Sequence, residues 1–200
     1  GGSVADEFLR LGFEVDACEL DGRIVTTARE FFRLDARCNV VLDDARHYIR
    51  TCKKSYDIIV FDLFSGEQPP SHLLTTENLA EVKQILKGDG LVMINFPGYW
   101  NGELGLSARS VYRTLVYSGF NTNLSATPGT EDSRNLVFVA SPTVLDFAAI
   151  SAERQNSCCR DFMHVPIPPP FIDRTVLNLR DALVFTDDKP VMEVVHMLAG

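Results

Sequence analysis

Four short apolar runs recur along the chain: FEVDACEL at 13–20, NVVL at 39–42, YDIIVF at 56–61 and LVMINF at 91–96. A helix-patterned or loop-like segment follows each. This alternation constrains the fold more than any other feature. Strands covered on both faces read as continuous apolar runs, and YDIIVF and LVMINF are of that kind. Alternating strands and helices predict an α/β domain with a mainly parallel sheet and helices on both faces. Strands are expected at 14–19, 39–43, 57–62 and 90–96, with 120–126 and 135–140 pairing antiparallel at one edge.

The intervening segments carry helix punctuation. Ser3 is a suitable N-cap for SVADEFLRL, and Gly12 a suitable stop. In DGRIVTTAREFFRLD, helical spacing places Ile24, Val25, Ala28, Phe31 and Phe32 on one face. ARHYIRTC reads as a short helix, LLTTENLAEVKQILKGDG as one closed by Gly88, and SARSVYRTLVYSG as one ending at Gly119. Residues 1–142 form one predicted domain. The Pro-rich stretch VPIPPPFID at 165–173 leads into a short tail, and 143–200 reads as a helical C-terminal extension packed on that domain.

The strand ends point to a site. Glu19 closes the first run, Asp43 and Asp44 the second, Asp62 the third and Asn95 the fourth. Ligands of open α/β sheets bind outside the carboxyl ends of the strands. Asp21 and Asp44 also suit helix N-termini, where carboxylates are favoured. Four successive polar ends nevertheless favour a shared site over isolated caps. Gly1-Gly2 precede a helix start, and Glu19 follows some 17 residues later. That is the logic of a glycine turn followed by an acid for ribose hydroxyls. The strand that should lead into such glycines is expected upstream of Gly1, or from a partner strand.

Charge and cysteine content exclude some classes. A net charge of −8 argues against a nucleic-acid surface, which needs clustered Lys and Arg, and suits a cationic substrate. The five cysteines, Cys18, Cys38, Cys52, Cys158 and Cys159, form no C-x-x-C pair. They read as reduced thiols in a cytoplasmic setting, with no zinc or other metal site. No apolar run approaches the ~18 residues of a membrane span, so direct membrane insertion is not expected. The sequence opens on Gly1 rather than Met, so targeting is not read from it.

The order GGS, VDACELD, NVVLDDAR, YDIIVFDLFSG, P-x-HLLTTE and LKGDGLVMIN resembles the spermidine synthase (polyamine aminopropyltransferase) family. That family lies within the class I S-adenosylmethionine-dependent methyltransferase fold, a Rossmann-like sheet. The likeness is strongest to bacterial spermidine-synthase-like proteins, some fused to membrane transporter domains, and covers residue 1 to about 140. The tail VFTDDKPVMEV is similar as well. The resemblance implies S-adenosylmethionine or its decarboxylated form as co-substrate and a small-molecule amine as acceptor, without metal. A homodimer is compatible with it.

Carried over residue by residue, Gly1 and Gly2 match the end of the family's Gly-rich loop. Glu19 matches the acid that binds the ribose hydroxyls, and Leu20 the apolar residue beside adenine. Asp44 matches the acid that accepts from the adenine amino group, and Ala45 stands where a glycine N–H usually faces the ring. Asp62 matches the first acid of the catalytic D-x-x-D segment. The second falls on Ser65, with Glu67 two residues on, so these two are the substrate-binding candidates. The usual Arg-Glu after the glycines falls on Ala5-Asp6, and the usual Gln has no clear match beside Asn95.

The resemblance implies aminopropyl transfer to an amine. Methyl transfer from the same pocket and a non-catalytic nucleotide-binding domain are the alternatives. Among other polar residues, His47 reads as a partly exposed side chain and His72 as a helix-start residue. Tyr99 and Trp100 suit either a pocket wall or the core, and Asp187-Asp188 suit helix caps. Ser65 shows no His/Asp pattern that would make it a nucleophile.

Overall fold

A computed structural model of the chain describes residues 2–62, 71–131, 133–145, 172 and 177–189. It divides into two compact units, Gly1–Lys53 and Lys54–Gly200. Each holds its own hydrogen-bonded sheet.

The first unit runs α1 (Ser3–Arg10), β1 (Asp16–Glu19), α2 (Gly22–Glu30), β2 (Asn39–Leu42) and α3 (Ala45–Thr51). The strands are parallel, with Asp16 opposite Asn39 and Glu19 opposite Leu42. α1 ends as its Gly12 predicts. That residue takes φ +88°, and the Phe13 N–H reaches back to the Phe8 carbonyl at 3.0 Å, closing a left-handed C-cap. The start differs from expectation: the N-cap is Gly2, and Ser3 is already helical and makes no capping bond. Leu9, Ala28, Cys38 and Ile49 form the small core.

The apolar face expected of α2 is only partly buried. Its helix stops at Glu30, so Phe31 and Phe32 lie beyond the last turn, where the 3.6-residue period no longer aligns them with Ala28. They are 75% and 62% exposed.

The second unit contains β3 (Tyr56–Phe61), a 3-10 turn (Ser71–Leu73), α4 (Thr76–Ile85), β4 (Leu86–Pro97), a second 3-10 turn (Glu103–Gly105), α5 (Leu106–Tyr117), β5 (Asn121–Ala126) and β6 (Asn135–Ser141). The sheet order is β3-β4-β6-β5. β3 and β4 are parallel, and β6 runs antiparallel to both β4 and β5. The parallel pair and the antiparallel edge are those the sequence predicts. Val82, Val92, Leu124, Leu136 and Phe138 fill the core.

Gly88 does not close α4. The helix already ends at Ile85, and Leu86 is extended, with φ −93° and ψ 135°. Tyr56 then pairs with Leu86 and Ile58 with Leu91, so Lys87 to Gly90 form an excursion in the ladder. Gly90 is needed there: a Cβ would lie 2.8 Å from Leu86 Cδ1 and 3.0 Å from the Asp57 carbonyl oxygen. Gly90 serves a strand irregularity, and Gly88 lies within that irregularity rather than at a helix stop.

The tail segment 177–189 is threaded against α4 and α5. Phe185 is fully buried; its N–H donates to Thr114 Oγ1 at 3.0 Å, and its carbonyl accepts from the Thr76 N–H at 2.9 Å. Among the described residues, no helix is long and apolar enough to cross a membrane.

Candidate functional site

In the first unit, the carboxyl ends of β1 and β2 bring acids and apolar side chains together. Glu19 is half-buried, and its Oε1 accepts from the Asp21 N–H at 2.9 Å. That bond fixes the carboxylate at the turn into α2. Oε2 has no protein partner among the described residues, and a carboxylate oxygen can accept two hydrogen bonds. Leu20 follows at 73% exposure, and Leu42, across the ladder from Glu19, is 62% exposed. Two exposed leucines beside an oriented acid make a surface that suits a flat, partly apolar ligand with hydroxyl groups.

The second strand end is tightly organised. The Asp43 N–H donates to the Glu19 carbonyl at 3.1 Å, linking the two ends. Asp43 Oδ1 accepts from the Asp44 N–H at 2.8 Å, and its Oδ2 lies 2.7 Å from His47 Nδ1. Asp44 is the N-cap of α3, accepting from the His47 N–H at 2.9 Å, so its cap role is real and leads straight into Ala45. Asp21 likewise caps α2 through the Arg23 N–H. The Arg23 guanidinium, bonded to the Asp21 carboxylate, holds its pKa down at about 2. Cys18 donates its thiol to the Asp43 carbonyl at 3.3 Å. Burial, followed by the charges of Asp43, Asp44 and Glu19, pushes that thiol up to about 11, so it is no nucleophile near neutrality.

At the chain's start, Gly2 takes φ +89°, and a Cβ there would lie 2.6 Å from Leu34 Cδ1. Only glycine fits this entry to α1 without strain. Asp6, one of the two residues at the family's Arg-Glu position, is committed to structure: its carboxylate accepts from the Asp35 N–H at 2.9 Å.

In the second unit, the parallel pair β3 and β4 presents Asp62 and Asn95 at adjacent strand ends. Asp62 is exposed just beyond buried Phe61, and its Oδ1 accepts from Asn95 Nδ2 at 2.9 Å. The amide orients the carboxylate without neutralising it, and Oδ2 has no protein partner among the described residues. Trp100 belongs to the core: it is 8% exposed and meets Tyr112 edge-on at 6.1 Å. Asp187 accepts from the Oγ1 of Thr75, the α4 N-cap, at 2.8 Å; the segment after Pro190 that it was expected to cap lies outside the described residues. Gly1, Ser65 and Glu67 lie outside the described residues.

Asp43, one of the strand-end acids marked by the sequence, organises the turn beside Asp44. Arg109 was not singled out from sequence. It lies among the buried residues of α5, where a cation flanked by small and apolar residues was the available clue.

Residues 1–101 of the 200-residue chain match the model of the spermine/spermidine synthase domain. A polyamine aminopropyltransferase from Vibrio vulnificus is 36% identical over 136 residues, covering 64% of this chain and 45% of that protein. The corresponding enzyme of Thermoplasma volcanium is 28% identical over 132 residues, covering 60% of this chain and 48% of that protein. The chain therefore spans about half the length of the curated relatives it matches. A spermidine synthase solved in complex with the transition-state analogue AdoDATO superposes with a TM-score of 0.61 at 21% identity, covering 78% of this chain and 55% of that one. With the family model spanning half of the sequence and the fold agreeing, the chain belongs to the spermine/spermidine synthase family.

Proposed function

We propose that this chain supplies the co-substrate pocket and the catalytic carboxylate of an aminopropyltransferase. The observation that carries the reading is Asp62, an exposed carboxylate at the end of strand β3, oriented by Asn95 and with its second oxygen unpartnered among the described residues. The co-substrate is a sulfonium nucleoside, decarboxylated S-adenosylmethionine in this reading. Glu19 Oε2 accepts from its ribose hydroxyls, Leu20 lies along adenine, and Asp44 with the Ala45 N–H reads the ring edge. Gly1 and Gly2 let the backbone approach its amino-propyl end. The leucine-flanked acid and the cramped, left-handed Gly2 support the fit. AdoDATO, bound by the solved spermidine synthase, is consistent with a ligand of this type.

In the reaction, Asp62 takes a proton from the acceptor ammonium, baring a nitrogen lone pair. The nitrogen attacks the propyl carbon next to sulfur. The N–C bond forms as the C–S bond breaks, the electron pair stays on sulfur, and methylthioadenosine leaves as a neutral thioether. Ser65 and Glu67 are assigned to the acceptor from sequence alone. The net charge of −8 favours a cationic acceptor. We assign residues 1–142 to the binding domain and 143–200 to its extension, in a homodimer within a reducing, cytoplasmic setting. Cys18 and Cys38, free thiols among the described residues, are in keeping with that setting.

Methyl transfer is the second reading, favoured by Ser65 at the position of the second acid. Incubation with an α,ω-diamine and each form of the co-substrate separates the two. Methylthioadenosine supports aminopropyl transfer, and S-adenosylhomocysteine supports methyl transfer. Calorimetric binding without either product would instead mark a nucleotide-binding domain.

A further inference from the structure

Arg109 is 6% exposed, yet it carries a charge. Its guanidinium is used on three sides. Nη1 donates to the Trp100 carbonyl at 2.5 Å, Nη2 to the Gly102 carbonyl at 2.9 Å, and Nε to Asp181 Oδ1 at 3.0 Å. Nη2 also pairs with Asp181 Oδ2. Gly105 makes room for this fork: a Cβ there would collide with the Trp100 carbonyl and lie 2.5 Å from Arg109 Nη1. The carbonyls so held belong to the loop that follows β4, the strand whose end carries Asn95 and thereby orients Asp62. The same loop is tied on its other side by Asn101 Nδ2, which donates to Glu131 Oε1 at 2.7 Å.

A buried cation between two loop carbonyls and a carboxylate from a tail 72 residues away is costly to keep unless it holds something in place. Ligands of α/β sheets bind at the loops beyond the strand ends, and this loop lies there. We infer that Arg109 and Asp181 are positioning residues for the acceptor. The pair fixes the loop after β4, so the tail segment 177–189 sets amine affinity through that loop without contributing to nucleoside binding. The inference rests on the aminopropyltransferase reading for its ligand. Its loop-holding part has a separate readout, because Trp100 is the sole tryptophan of the chain.

The test uses Asp181→Asn, which keeps shape and one acceptor oxygen, with Arg109→Lys as the stronger variant. Lysine cannot reproduce a planar fork serving two carbonyls and a carboxylate. With 1,4-diaminobutane as probe, Asp181→Asn should raise the acceptor KM by about tenfold, the effect of weakening one charge-assisted hydrogen bond. Co-substrate Kd should stay within about twofold of wild type, and Trp100 emission should shift to the red as water reaches the ring. Unchanged KM and emission overturn the inference. So does a parallel loss of co-substrate affinity and melting temperature, which would mark general loosening. If wild type transfers nothing to diamines, the functional reading fails on its own, and the emission of Asp181→Asn still decides whether the pair holds the loop. A red shift at unchanged melting temperature upholds that role, and no shift removes it.

Discussion

Replacing Glu19 separates two jobs that one carboxylate performs. Oε1 accepts from the Asp21 N–H at 2.9 Å and so anchors the entry to α2, while Oε2 faces no protein donor among the described residues. Glu19→Gln can keep the first bond through its carbonyl oxygen, but it replaces the second acceptor with an NH2 and removes the charge. A charge-assisted hydrogen bond contributes about 1.5–3 kcal/mol. Loss of such a bond to a ribose hydroxyl should therefore weaken co-substrate binding by about tenfold to about a hundredfold. Glu19→Ala loses the same bond and also strips the Asp21 N–H of its partner, adding a stability cost of about 1–3 kcal/mol at this half-buried turn. Titration calorimetry with S-adenosylmethionine and its decarboxylated form, beside thermal melts of both variants, measures the two effects separately. The reasoning is refuted if Glu19→Gln melts like wild type and binds either nucleoside with wild-type affinity.

Asp62→Asn should leave co-substrate affinity within a few-fold and reduce transfer by about 10²–10⁴, the span for loss of a general base; full turnover in single-turnover assays would make Asp62 a structural strand end only. Phe185→Ala, at a fully buried tail position, should cost about 3–5 kcal/mol in denaturant unfolding, and a loss below ~1 kcal/mol would show that the tail is not part of the core. The Cys18 thiol is raised above its ordinary value, so the folded state keeps its proton where the unfolded chain has lost it. Its contribution to stability is complete below about pH 9 and is lost as pH rises toward about 11. Alkylation of Cys18 by iodoacetamide, followed by mass spectrometry across that window, should stay slow until its upper end, and rapid labelling at pH 8 would contradict this.

What the sequence determined by itself was local. The continuous apolar runs announced β3 and β4, and alternation with helical periods announced the parallel pairs. Gly12 and Gly119 marked helix ends because a positive φ there suits glycine. Asp21 and Asp44 were legible as caps because the N–H groups they bind lie two and three residues on. Glu19 and Asp62 stood out because acid following an apolar run is a short-range pattern. Tertiary structure decided what depends on distant partners. Ile85 rather than Gly88 ends α4 because Leu86 pairs with Tyr56, thirty positions earlier in the chain. Phe31 and Phe32 fit a helical face on paper but lie beyond the end of the helix that would have buried them. Asn95 became the partner of Asp62 only when β3 and β4 aligned side by side. The Arg109–Asp181 pair and the Thr75–Asp187 bond join residues 72 and 112 positions apart, and no periodicity within a single element carries such information. Local conformation follows from bonds a few residues long, whereas these contacts exist only once the sheet and the tail have packed and removed the competing water.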